Sequence, residues 1–180
     1  MGIGRKLGTW AVLAAAAAII LVFALPSYRQ GEASVAGKTA VDFSLQVSGK
    51  PAHLSDFRGK VVVLNFCASW CQPCVEEAPS LNRLQKHIAS QNAVLIGVAA
   101  DENPDAYQKF LQDQAISFAT YRDPATKDNR SPIADSYGTT MYPETYIIGP
   151  DGKIARKLIG YQQWDSPQML AYFDSILGKS

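Results

Sequence analysis

Cys71-Gln72-Pro73-Cys74 is the segment of this chain best suited to chemistry. Two thiols one helical turn apart can pass between dithiol and disulfide. The first attacks as a thiolate and the second resolves the mixed disulfide without a large backbone movement. Half of many zinc sites looks the same, but no second Cys pair follows, and three cysteines with only His53 and His87 make a closed zinc site hard to assemble. Three cysteines are also too few for a disulfide scaffold. Redox exchange is therefore the better use of them, with no metal and no cofactor called for.

Other side chains near the pair could modify that chemistry. Glu77 is three residues past Cys74 and so shares its helix face, where a carboxylate would raise thiol pKa values and accept a proton during turnover. A solvated helix residue is the plain alternative for Glu77, and it is the reading given to Glu76. Cys67, closing an apolar strand, reads as a small core residue. Glu144 either adds negative charge near the site or is an exposed strand residue. His53 and His87 read as surface residues without partners.

Two features of the flanking sequence position the pair. Before it, Lys60 opens Val61-Val62-Val63-Leu64-Asn65-Phe66, a β-branched run that fits a strand buried on both faces. After it, Pro73, Val75, Ala78, Leu81, Leu84 and Ile88 recur along one side of a helix ending near Ser90. Cys71 thus falls at a strand-to-helix junction, where unpaired N–H groups and the helix dipole stabilise a thiolate. That makes Cys71 the nucleophile and Cys74 the resolving thiol.

The remaining pattern predicts one compact domain. Val41–Val47 and Ala52–Leu54 alternate about Gly49-Lys50 and read as an N-terminal β-hairpin forming one edge of the sheet. Ala93–Ala100 is a buried strand, Asn103-Pro104-Asp105 starts a helix carrying Tyr107, Phe110 and Leu111, and Phe118–Tyr121 is a short strand. Residues 122–131 read as a surface loop. Thr145–Ile148 and Ile154–Ile159 flank Gly149-Pro150-Asp151-Gly152 as a hairpin, and Ser166–Leu177 is a last amphipathic helix. This order describes an α/β sandwich, a mixed central sheet with helices on both faces.

Ahead of the domain, Arg5 and Lys6 precede an uncharged apolar run from Leu7 to Leu25. At ~1.5 Å per residue it is just long enough to cross a ~30 Å hydrocarbon layer. Residues 1–25 are therefore read as a transmembrane anchor helix, with a cleaved signal sequence as the alternative. With the positive charges inside, both place the rest of the chain in an oxidising compartment. Residues 26–40 are small, polar and aperiodic and read as a linker, leaving 41–180 as the folded domain. Seventeen Lys and Arg against sixteen Asp and Glu leave no basic stripe for nucleic acid.

Several stretches resemble a known family. Asp42-Phe43-Ser44-Leu45, Leu54-Ser55-Asp56-Phe57-Arg58-Gly59-Lys60, Asn65-Phe66 to Trp70-Cys71-Gln72-Pro73-Cys74, Glu76-Glu77-Ala78-Pro79 and Pro143-Glu144-Thr145 are similar to extracytoplasmic thioredoxin-like proteins of the TlpA/ResA type, including the CcmG group of cytochrome c biogenesis. The resemblance implies a thioredoxin-like fold and a thiol-disulfide oxidoreductase tethered to the bacterial inner membrane. Its domain would lie on the periplasmic side, reduce protein disulfides there, with apocytochrome c as one candidate, and be recharged by a membrane electron donor of the CcdA/DsbD type. It further implies a cis Pro143 facing the CxxC, with Trp70, Tyr142 and Pro143 on the substrate-binding side and the Tyr142 backbone offering hydrogen bonds to a bound chain. A glutamate placed like Glu77 lies close to the active cysteines in ResA-like members.

Cys67 departs from the family, whose members usually carry tryptophan there. Cys67-x3-Cys71 also resembles the copper-binding Sco proteins of this fold, but those need a histidine late in the chain and none follows His87. An oxidant or isomerase and, more remotely, a thiol-based copper chaperone are the alternatives to a reductase. A peroxiredoxin-like site lacks its Pro-x3-Thr-x2-Cys loop.

Overall fold

A computed structural model describes residues 35–47, 49–126 and 129–178. The expected membrane segment and most of the expected linker lie outside the described residues. Among those described, no helix is long and apolar enough to cross a membrane.

In chain order the elements are β1 (Ser44–Val47), β2 (Lys50–His53), β3 (Val61–Cys67), α1 (Gln72–Ile88), β4 (Ala93–Ala99), α2 (Pro104–Asp113), β5 (Ala119–Arg122), α3 (Pro132–Tyr137), β6 (Glu144–Ile148), β7 (Ile154–Ile159) and α4 (Pro167–Ile176). A five-stranded sheet runs β5-β4-β3-β6-β7, parallel from β5 to β3 and antiparallel from β3 to β7. The mixed sheet expected from the sequence is present, with β3 at its centre.

All seven residues of β3 are buried, as a continuous β-branched and apolar run requires. Side chains alternate between faces along a strand. Val62, Leu64 and Phe66 join Leu45, Tyr137 and Tyr146 in one core, while Val61 and Val63 join Leu81, Leu84, Ile88, Trp164 and Phe173 in the other. Each large aliphatic side chain so buried contributes about 1.5–3 kcal/mol. The same period of two turns Asn65 and Cys67 toward α1, which is how a polar and a thiol side chain reach the chemical end of that helix.

Two expectations change, and one helix is added. The hairpin β1–β2 is not hydrogen-bonded into the main sheet but forms a separate two-stranded sheet, held by Leu45 buried in the same core as Val62, Leu64 and Phe66, with Phe43, Val47 and Ala52 packed against it. Ordered structure also begins before Val41. Gly37 N donates to Ile154 O at 2.8 Å, Ala40 N to Gly152 O at 2.9 Å, and Val35 packs on the core. Finally, α3 follows the 122–131 stretch, started by a Ser131 side chain that accepts from Ala134 N, with Pro132 inside the first turn and Gly138 left-handed (φ 68°) at its end.

Candidate active site

Cys71 is the N-cap of α1, with φ −88° and ψ 101°, and Cys74 lies in the first turn. The two form a disulfide with Cα atoms 5.3 Å apart. Pro73 falls in the first turn of the helix, where its missing N–H costs nothing. The helix start is largely closed over the sulfurs: Cys71 is 6 % exposed and Cys74 2 %, though Gln72 and Pro73 between them are exposed. Cys71 is the slightly more exposed residue of the two and sits where first-turn N–H groups favour negative charge.

Beneath the pair, Glu77 is fully buried with its carboxylate held by three donors. Asn65 Nδ2 donates to Oε1 at 2.9 Å, and Gln162 N and Trp164 Nε1 donate to Oε2 at 3.2 and 3.1 Å. Asn65 in turn donates to Thr145 Oγ1 at 2.9 Å, tying the group to the sheet. Pro79 removes one backbone donor from α1 just beyond, and Ser80 Oγ accepts from Trp164 N at 3.2 Å, which seats the 162–164 segment against the helix. Burial pushes the Glu77 carboxyl up to about 7, more than its hydrogen bonds pull it down. A carboxyl with that value can both take and give a proton near neutrality. The solvated alternative for Glu77 does not survive its burial.

This carries a stability prediction. The folded state holds the Glu77 proton more tightly than the unfolded chain does, so this group's contribution to stability is fully present below pH about 4.5 and is lost as pH rises through about 7. The loss is on the order of 3 kcal/mol. Urea midpoints for the parent should drop across that window, and those of Glu77→Gln should drop much less.

Cys67 faces the same side as Cys74 and shares a small, mostly apolar cavity with it, lined also by Asn65, Ala78 and Tyr107. It is a free, buried thiol. Burial first, then the Asp101 and Glu77 carboxylates, push its pKa far up, so it is held as an inert thiol. Cys67→Ala is expected to leave disulfide-exchange rates within about twofold of the parent, measured on a protein disulfide, at a cost in stability of about 1–2 kcal/mol.

Exposed aromatic and aliphatic side chains lie beside the cysteines. Trp70 is 53 % exposed and stacks edge-on against Tyr142 with ring centroids 5.8 Å apart. Tyr142 packs on the cluster of Cys67, Ala68, Cys71 and Cys74. The Tyr142–Pro143 peptide bond is cis. Pro143 immediately precedes β6, whose Glu144 is opposite Phe66 of β3, and Pro143 O accepts from Gly160 N at 2.8 Å. Met141, Ile159 and Tyr161 are exposed beside this loop.

Glu144 differs from both of its expected readings. It is buried on the opposite face of the sheet from α1, where Oε1 accepts from Thr139 Oγ1 at 3.0 Å, Tyr146 OH at 2.6 Å and Lys157 Nζ at 2.6 Å. Its cation, Lys157, comes from the neighbouring strand β7. The histidines also have partners: His53 Nδ1 lies 3.7 Å from Asp42, and His87 Nε2 is 2.8 Å from Asp174. Neither is near the cysteines in sequence or sheet position. No group of three or more His, Cys, Asp or Glu residues among those described is arranged to hold a metal ion.

Comparison with known proteins agrees with this geometry. Residues 36–157 match the model of the AhpC/TSA family. The chain is 33 % identical over 125 residues to the thiol-disulfide oxidoreductase ResA of Bacillus subtilis, covering 69 % of this chain and 67 % of that protein. A Chlorobium tepidum structure assigned as thiol:disulfide interchange protein DsbE superposes with a TM-score of 0.70 at 29 % identity, covering 79 % of this chain and 98 % of that one. A thiol-disulfide oxidoreductase from Bacteroides fragilis superposes with a TM-score of 0.65 at 28 % identity, over 76 % of this chain and 99 % of the other. With its Cys71–Cys74 pair at a strand-to-helix junction, the chain belongs to the AhpC/TSA family and is a thiol-disulfide oxidoreductase of the ResA/DsbE type.

Proposed function

We propose that this protein is a reductant of protein disulfides outside the cytoplasm, tethered to the bacterial inner membrane by residues 1–25 and resupplied with electrons by a membrane donor of the CcdA/DsbD type. Its substrates are disulfides in extended or unfolded segments, the CxxCH segment of apocytochrome c among them. The observation that carries the reading is the buried Glu77 carboxyl one turn past Cys74, together with Gln72-Pro73 between the cysteines in place of a thiolate-stabilising histidine.

In the proposed cycle the Cys71 thiolate attacks one sulfur of the substrate disulfide, and the other substrate sulfur leaves as a thiolate and takes a proton. Cys74 then gives its proton to Glu77 and attacks Cys71 Sγ. The second substrate thiolate departs, accepting the proton from Glu77. Two electrons have passed to the substrate, and the domain is left with the Cys71–Cys74 disulfide, which two electrons from the donor reopen. Trp70, Tyr142 and Pro143 hold the substrate: the Tyr142 backbone pairs with the extended chain and the exposed Trp70 ring covers its apolar side.

The test is a single turnover. Reduced protein mixed with the disulfide form of a CxxCH peptide should yield one peptide dithiol per Cys71–Cys74 disulfide formed. A peptide that stays oxidised while a generic protein disulfide is reduced would remove apocytochrome c from the proposal.

A further inference from the structure

The parallel register that pairs Cys67 with Ala99 brings the exits of β3 and β4 together. Ala100 N donates to Cys67 O at 2.9 Å, and two residues past each strand end lie Ser69 and Asp101. Asp101 is 1 % exposed. Ser69 N donates to both of its carboxylate oxygens at 3.1 Å, and the Ser69 hydroxyl donates to Oδ1. Ser69 is the second residue of the tight turn in which Cys71 N donates to Ala68 O at 3.1 Å. Arg122 Nη1 reaches the main-chain oxygens of Asp101 and Glu102 at 3.2 Å. Those bonds fix the Asp101 backbone, while its carboxylate accepts from both the main chain and the hydroxyl of Ser69. A buried carboxylate is costly unless its hydrogen bonds are well made, and here they are spent on the turn that carries the sulfur.

We propose that Asp101 is a positioning residue for disulfide exchange: through Ser69 it fixes the Trp70-Cys71 turn, and its charge stands behind Cys71 as a brake on the thiolate that makes the dithiol a stronger reductant. This rests on the reading of Cys71 as the attacking thiol. The same carboxylate raises the pKa of Cys67 and, after burial and other contacts, of Tyr107, so its field reaches side chains packed in the cysteine cluster. The other titratable and charged groups at this corner are Cys74 and Glu77 on α1, Tyr142 on the cis-proline loop, Arg122 on β5 and Asp123 just past it. Arg122 is the one cation among them, and its hydrogen bonds go to carbonyl oxygens.

The test uses the full chain with two substitutions. Asp101→Asn keeps size and one acceptor while deleting the charge, and Ser69→Ala keeps the charge while deleting the hydroxyl donor. Asp101→Asn should move the pH midpoint of Cys71 alkylation down by about half a unit or more and shift the equilibrium with glutathione about threefold or more toward the dithiol. Ser69→Ala should not lower the alkylation midpoint, but should slow single-turnover reduction of a protein disulfide by about fivefold, because the turn is held by one contact fewer. An Asp101→Asn protein with parental far-ultraviolet circular dichroism and an unchanged alkylation midpoint overturns the electrostatic role. Should Asp101→Asn fail to fold, an unchanged single-turnover rate in Ser69→Ala overturns the positioning role. Alkylation is read on the thiol alone, so these outcomes are distinct from a parent protein that fails to reduce any disulfide, which would count against the proposed function itself.

Discussion

Cys71→Ser is expected to abolish disulfide exchange, with a rate loss on the order of 10³-fold or more, while Cys74→Ser keeps the first step and accumulates a mixed disulfide with substrate. The asymmetry follows from position. Cys71 caps the helix, with Cys74 N and Val75 N both donating to its main-chain oxygen, and it is the slightly more exposed residue of the pair. Cys74 is deeper and needs Glu77 to take its proton before it can attack. Brief alkylation of the reduced protein followed by peptide mapping checks the order independently: label should appear on Cys71 well before Cys74 and not on Cys67. Preferential labelling of Cys74 would reverse the two roles.

Glu77→Gln is the second large effect. The substitution keeps the side-chain size, and an amide oxygen can still accept from Asn65 or Trp164, but the charge and the proton-accepting capacity are lost. Above pH about 7 the parental carboxylate is ionised and opposes a thiolate in the first turns of α1. The Cys71 alkylation profile of Glu77→Gln should therefore move to lower pH, by about one unit, and should lose any second step arising from coupled titration of carboxyl and thiol. A stabilised thiolate favours the reduced form, so the variant should also be a weaker reductant. Turnover should fall by about 10²-fold as the proton relay to Cys74 is removed. Parental values for both the alkylation profile and the reduction potential would leave Glu77 a structural residue only.

What the sequence made legible was what depends on near neighbours. A β-branched run followed by a 3.6-residue apolar pattern placed Cys71 at a strand-to-helix junction, and i,i+3 spacing put Glu77 on the face of Cys74. Alternation identified β1 and β2 as a hairpin, but alternation says which side is apolar and not which surface that side meets. Here Leu45 and Ala52 join the core shared with Val62, Leu64 and Phe66, while the hairpin's hydrogen bonds stay within its own two strands. The caps of α3 were readable in Ser131, Pro132 and Gly138, but six helical residues give too short a period to stand out from a polar stretch.

Long-range partners were the illegible part. Glu77 is bound by Asn65, Gln162 and Trp164, the last 87 residues away, and no local pattern reveals that a carboxylate will be enclosed by an indole N–H. Glu144 was misjudged for the same reason, since its cation sits on the next strand and becomes a partner only through the β6–β7 pairing. Ser69 and Asp101, 32 residues apart, become partners only because the register of β3 with β4 sets the two strand exits side by side. Burial of charge in this domain is thus decided by strand order, which local periodicity does not encode.

The most direct test of the central claim is the reduction potential of the Cys71–Cys74 couple, measured by equilibration with glutathione or dithiothreitol at neutral pH. The reducing role places it close to the roughly −270 mV of thioredoxin; a value near the roughly −120 mV of DsbA would mean that the dithiol is the favoured state and that this protein oxidises its partners instead of reducing them.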